Sequence, residues 1–263
     1  MKPLLTVSLV QAELDWHDPA ANRARFDRLL APLAGRSDLI VLPEMFSTGF
    51  TMEPEKVAEP VEGPTTQWLR ERAQALNAVV TGSVVTVEHD RYWNRLIWMR
   101  PDGTFETYDK RHLFRMAGEH EHYADGKRRL VVELAGWNLC PFVCYDLRFP
   151  IWSRNRIKGE GAYDALIYVA NWPERRRYAW QTLLRARAIE NLSYCIGVNR
   201  VGRDGKEIDY CGDSTAIDFL GRELIPDMKG ESVSTVTLDR EALTTFRERF
   251  PAYLDADEFA LQL

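Results

Sequence analysis

Apolar runs rich in β-branched residues alternate along this chain with longer segments whose apolar residues recur every three to four positions. Strands bury a face at period 2 and helices a stripe at period 3.6, so the alternation marks an α/β protein. Leu4 to Val10 reads as the first strand. Asp18 then caps a helix with Pro19 at its first position, running to about Leu33 with Gly35 just beyond. Asp38 to Leu42 is the next strand and Thr65 to Leu76 the next helix. Val79 to Val87, Arg91 to Met99 and Thr104 to Tyr108 read as strands, the last two joined through the turn Pro101-Asp102-Gly103. A polar loop to Gly126 follows, then strands at Leu130 to Leu134 and Asn138 to Val143 and a short helix from about Phe149. The long helix Tyr178 to Asn191 lies between strands at Asp164 to Ala170 and Tyr194 to Asn199. Ser214 to Leu238 reads as mostly strand with a hairpin turn at Asp218 to Gly221, and Arg240 to Phe250 closes the chain as a helix.

Three of the apolar strands end abruptly in a polar residue: Glu44 after Leu42-Pro43, Cys144 after Val143, and Asn171 after Ala170. In open α/β sheets ligands collect at the carboxyl ends of strands, so these three residues mark a candidate site. No stretch rich in Pro, Gly or Ser divides the chain, and residues 1–263 read as one domain.

Composition narrows the function. Apolar residues make up 45% and charged residues 28% of the 263, which suits a soluble globular protein. The net charge of −5 gives no basic footprint for nucleic acid. The basic runs Lys127-Arg128-Arg129 and Arg175-Arg176-Arg177 are short and read as solvated surface. No signal-peptide pattern and no apolar stretch of roughly 20 residues is present, so the expected location is the cytoplasm, away from membranes. The cysteines Cys140, Cys144, Cys195 and Cys211 have no paired zinc spacing and are expected as reduced thiols.

A free thiol is mostly protonated at neutral pH, so a nucleophilic cysteine needs a base or a cation beside it. In Pro141-Phe142-Val143-Cys144-Tyr145-Asp146-Leu147-Arg148-Phe149-Pro150 a strand stops at the cysteine and a polar turn leads into a helix. That order resembles a nucleophile elbow, with free backbone N–H groups beside the reactive atom. The other reading of Cys144 is a core cysteine, and Cys140, Cys195 and Cys211 keep that reading.

Leu42-Pro43-Glu44, Tyr108-Asp109-Lys110-Arg111-His112-Leu113-Phe114 and Cys144 to Pro150 resemble, in this order, the Glu, Lys and Cys blocks of the nitrilase superfamily of carbon–nitrogen hydrolases. Asn171-Trp172-Pro173 and Arg187-Ala188-Ile189-Glu190-Asn191 extend the likeness, which is nearest to the ω-amidase branch. The resemblance implies a four-layer α-β-β-α sandwich, commonly a homodimer, acting on a small amide such as 2-oxoglutaramate without metal or organic cofactor. It also implies that Glu44 is the general base, Lys110 the cationic stabiliser and Cys144 the nucleophile, with the Tyr145 N–H facing the oxyanion.

A second catalytic glutamate is implied in the loop after the lysine, with Glu119 the better placed and Glu121 its rival. His120 and His122 lie in the same loop without a third ligand at a metal-site spacing, so no metal is expected. Arg148 offers a planar fork for a substrate carboxylate, or else a structural ion pair. Phe46, Phe50 and Trp172 either wall the pocket or belong to the core, and Asn171 is a further candidate for substrate contact. His112 reads as a packed or hydrogen-bonded residue. The alternatives are a nitrilase or N-carbamoyl hydrolase with the same triad and, from another class, a non-catalytic binding protein on this fold.

Overall fold

A computed structural model describes residues 2–157, 161–225 and 227–261. In chain order its elements are β1 (Leu4–Gln11), α1 (Pro19–Leu30), β2 (Leu39–Val41), β3 (Glu59–Pro60), α2 (Pro64–Leu76), β4 (Val79–Glu88), β5 (Arg91–Met99) and β6 (Phe105–Asp109). There follow α3 (Glu119–His122), β7 (Val132–Leu134), β8 (Trp137–Val143), α4 (Pro150–Ser153), β9 (Ala165–Ala170), α5 (Arg177–Glu190) and β10 (Tyr194–Asn199). The last are β11 (Val201–Arg203), β12 (Asp209–Cys211), β13 (Thr215–Ile217), β14 (Ser232–Asp239) and α6 (Arg240–Arg249).

Two mixed sheets form the centre. One has the order β14-β1-β2-β4-β5-β6 with β3 beside β4, and the other the order β13-β10-β9-β8-β7. Strands β1, β2 and β4 run parallel, as do β8, β9 and β10, while the strands at both ends of each order, β14, β6, β13 and β7, pair antiparallel. Alternation along the first sheet explains the layering. Leu5, Val7, Leu9, Leu39, Val41, Leu96 and Trp98 face Leu139, Ile167, Val169 and Ile196 of the second sheet in one buried cluster. Their neighbours Val10, Ile40, Leu42, Val80, Ile97 and Met99 face the other way, onto Phe26 and Leu30 of α1 and Trp68, Leu69 and Ala73 of α2. Trp180, Leu184 and Ala188 of α5 pack into the cluster from the far side. This is the four-layer α-β-β-α sandwich.

Local chemistry sets the element ends. The Asp18 side chain accepts from the Ala21 N–H and caps α1. That helix stops at Leu30, short of the expected Leu33, because Pro32 has no N–H to continue it, and Ala31–Leu33 tighten into a 3-10 turn. The loop expected to reach Gly126 contains α3. Among its described residues the stretch Ser214 to Leu238, expected to be mostly strand, holds only β13 and β14, separated by a turn closed by the Gly221 N–H to the Asp218 carbonyl at 2.9 Å. Asp218 Oδ1 also accepts from the Leu220 and Arg222 N–H groups, which ties this backbone to a side chain and withdraws it from a ladder.

Candidate active site

Glu44 follows β2, Lys110 follows β6, Cys144 follows β8 and Asn171 follows β9, so the carboxyl ends of strands from both sheets meet at one point. Glu44, Lys110 and Glu119 are all essentially inaccessible to solvent. Lys110 Nζ donates to Glu44 Oε1 and to both Glu119 oxygens, each at 2.9 Å. The Asn171 N–H donates to Glu44 Oε2 at 2.8 Å, and the Phe114 N–H to Glu119 Oε2 at 2.6 Å. Each carboxylate is therefore gripped by Lys110 and by a backbone amide. The ammonium also lies 5.1 Å from the centre of the Phe50 ring.

Charges and burial set the protonation states. Burial opposes the Lys110 charge, but Glu119 and Glu44 together outweigh it and hold the ammonium more firmly than usual. Glu119 is pushed above the ordinary carboxylate range, first by burial and then by Glu44, against the pull of Lys110. The Cys144 thiol is driven well above its usual value by burial and by the Glu44 carboxylate beside it, with Lys110 opposing. Cys144 at neutral pH is thus a thiol next to an acceptor. Such a pair can lose its proton to the carboxylate as a bond to carbon forms.

The turn at the cysteine is strained and tied down. Cys144 has φ +42°, a left-handed conformation uncommon for a residue with a Cβ. Asp146, fully buried, holds it. Its Oδ2 accepts from the Val143 N–H at 3.1 Å and the Tyr108 hydroxyl at 2.8 Å. Its Oδ1 accepts from the His112 N–H at 2.9 Å and lies 2.8 Å from His112 Nδ1. Arg187 of α5 donates to the Leu147 carbonyl at 2.6 Å from behind, which fits a scaffold part for the Arg187 to Asn191 segment. Tyr145 lies in the first turn of the 3-10 helix Cys144–Arg148, where backbone N–H groups have no acceptor within the helix.

A cavity of about 220 Å³ opens onto Cys144. Phe50, Lys110, Tyr145, Arg148, Asn171 and Trp172 line it. Arg148 lies over the Trp172 ring, 4.9 Å from its centre, and no carboxylate pairs with it among the described residues. Phe46 is a correction. It is fully buried on the outer face of the first sheet, 5.4 Å from Phe26 and 5.7 Å from Trp68 between ring centres, because the outward face after β2 points to α1 and α2. Of the two loop glutamates the structure brings Glu119 to Lys110 and leaves the Glu121 side chain 69% exposed. Among the described residues no group of three or more His, Cys, Asp or Glu is placed to hold a metal ion. His112 stacks on Phe149 with ring centres 3.7 Å apart.

Several contributors escaped the sequence reading. Arg175 and Arg176 line the cavity, so the run expected to be solvated surface is in part a wall of it, with Arg176 5.0 Å from the Phe114 ring centre and Arg177 paired with Asp213. The small β11–β12 hairpin adds Asp204, Lys206, Ile208 and Tyr210. Asn94, a polar residue amid the apolar positions of β5, is buried against both glutamates; that interruption of an apolar strand was the signal that could have found it.

Comparison with known proteins agrees with this architecture. The carbon-nitrogen hydrolase family matches residues 6–248. Omega-amidase YafV of Yersinia enterocolitica is 48% identical over 98% of each chain. The 2-oxoglutaramate amidase of Bacillus subtilis is 29% identical, covering 95% of this chain and 96% of its own. The crystal structure of XC1258 from Xanthomonas campestris, a CN-hydrolase superfamily protein with an arsenic adduct in its active site, superposes over 100% of both chains with a TM-score of 0.96 and 50% identity. The chain therefore belongs to the carbon-nitrogen hydrolase family of the nitrilase superfamily and is an enzyme of the amidase type.

Proposed function

We propose that this enzyme hydrolyses the terminal amide of a short dicarboxylate monoamide, 2-oxoglutaramate being the example suggested by its relatives, through a thioester at Cys144. The observation that carries the substrate class is Arg148, a guanidinium unpaired with any described carboxylate in the cavity that holds the thiol. Arg176, likewise without a carboxylate partner among the described residues, adds to a positive wall suited to an anionic group. The fork of Arg148 grips the distal carboxylate and directs the amide toward Cys144.

The chemistry then runs in two halves. Glu44 takes the thiol proton as Sγ bonds to the amide carbon, and the carbonyl electron pair moves onto oxygen. Lys110 and the Tyr145 N–H stabilise that oxyanion. As the carbonyl re-forms the C–N bond breaks, the proton held by Glu44 passes to nitrogen, and ammonia leaves. Glu44 next takes a proton from water as the water oxygen attacks the thioester; the C–S bond breaks, sulfur recovers a proton and the acid departs. Glu119 fixes Lys110 and bears on the same proton balance. Ammonia release from a panel of 2-oxoglutaramate, a neutral aliphatic amide, a nitrile and an N-carbamoyl amino acid tests this. Turnover led by the dicarboxylate monoamide is expected, whereas turnover led by the nitrile or the carbamoyl compound overturns the substrate class.

Three broader features belong to the same proposal. Residues 1–263 act as one domain, supported by a buried cluster that draws on both sheets. Two copies associate, supported by the exposed apolar Ile189 and Phe250 on one surface groove, and sedimentation at micromolar concentration should give a dimer. The enzyme works in the cytoplasm, supported by four free thiols, and cell fractionation should find it there.

A further inference from the structure

Asn94 is fully buried on β5 between the two glutamates. Its Nδ2 donates to Glu44 Oε1 at 2.8 Å and to Glu119 Oε1 at 3.3 Å. Its orientation is dictated by its other end. The Met45 N–H donates to Ser83 Oγ at 2.9 Å, so the hydroxyl proton of Ser83 is free to go to Asn94 Oδ1, 2.7 Å away. The oxygen end is thereby committed to Ser83, and the two amide hydrogens point to the two carboxylates. The Asn94 carbonyl also accepts from the Lys110 N–H at 3.0 Å. One residue thus touches Glu44, Glu119 and Lys110.

We infer that Asn94 is a positioning residue for the hydrolysis: it holds Glu44 and Glu119 side by side in their ionised forms around Lys110, so that Glu44 remains free to accept the thiol proton. Two buried carboxylates at close range repel, and binding one proton relieves the repulsion. A single ammonium leaves one negative charge unbalanced between them. A neutral group with two donors stabilises both ionised forms and adds no charge to compete with Lys110. The other groups that face the pair are Lys110 after β6, the Phe114 N–H before α3, Cys144 after β8, the Asn171 N–H after β9 and Tyr123 after α3. The Tyr123 hydroxyl donates to the Thr51 carbonyl at 2.8 Å, so its proton is not directed at the carboxylates.

This inference rests on Glu44 being the catalytic base, and the test separates the two ideas. The pH dependence of kcat/KM, and of Cys144 alkylation by iodoacetamide, is measured for the wild type, Asn94→Ala, Ser83→Ala and Glu44→Gln. Asn94→Ala should lose about ten- to a hundredfold in kcat/KM near neutrality. Its acid limb should also move up by about one pH unit or more, because proton binding to the carboxylate pair is less opposed. Ser83→Ala frees the amide to turn and should move the limb the same way by less; it carries the test if Asn94→Ala does not fold. A folded variant that loses the same factor at every pH, or loses nothing, reduces Asn94 to a structural prop. If Glu44→Gln keeps wild-type activity, the catalytic reading fails and takes this inference with it. If Glu44→Gln is inactive while the acid limb of the Asn94 variant stays in place, only this inference fails.

Discussion

Replacing Arg148 with Leu tests the substrate class while leaving the reacting atoms alone. In the folded protein the guanidinium lies 4.9 Å from the centre of the Trp172 ring and has no carboxylate partner among the described residues, so its removal orphans no buried acid. Leucine retains apolar contact with the indole. The protein itself loses mainly the cation–π contact, about 0.5–1 kcal/mol at a partly exposed site. A bound dicarboxylate monoamide loses more. One charge-assisted contact is worth about 1.5–3 kcal/mol, or roughly ten- to a hundredfold in kcat/KM, and Arg176 nearby keeps the loss from growing beyond that. A neutral amide of similar length should lose less than about threefold, since it never used the contact. Arg148→Lys should recover part of the loss, because an ammonium brings charge without the two-pronged geometry. The assay is ammonia release for both substrates, after circular dichroism has shown the variants folded. Equal losses on the two substrates in a folded Arg148→Leu would refute the clamp and make Arg148 a structural or general catalytic residue.

The raised thiol and the raised Glu119 predict a pH profile. Activity should fall on the acid side as Glu119, raised above the ordinary glutamate value beside Lys110, takes up a proton, and kcat/KM should stay level between about pH 7 and 9, where a free thiol would be ionising. A tenfold climb across that interval would instead show that a preformed thiolate is the reactant. Asp146→Ala leaves the Tyr108 hydroxyl and the Val143 and His112 N–H groups without their buried acceptor, and should cost about 3–5 kcal/mol of stability by urea unfolding. A cost under about 1 kcal/mol would show that the elbow is not held by this carboxylate.

The strands and helices that carry the site were legible because their cause is local. The alternation in β1, β2, β4 and β5 separates an inner face from an outer one, and Asp18 with Pro19 announces α1. Glu44 and Cys144 were legible because each stands just after an apolar strand, whereas Lys110 was picked out only by the resemblance of its block to that of the nitrilase superfamily. What failed depended on direction in space. Phe46 and Phe50 share one loop, yet one turns into the helical layer and the other lies under Lys110, which spacing alone does not distinguish. Arg175 to Arg177 read as surface because three consecutive basic residues look alike in sequence, whereas the 3-10 turn Glu174–Arg176 ahead of α5 carries the two that line the cavity and Arg177 pairs with Asp213. The β11–β12 hairpin was passed over because its strands are three residues each, too short to show a period.

The most direct measurement is mass spectrometry of the enzyme quenched in acid during turnover of 2-oxoglutaramate. The account predicts an acyl adduct on the peptide that contains Cys144, formed at the rate of ammonia release and absent from Cys144→Ala, which should fold and release no ammonia. Wild-type turnover by Cys144→Ala, or an adduct carried on Cys140, Cys195 or Cys211 in its place, would contradict it.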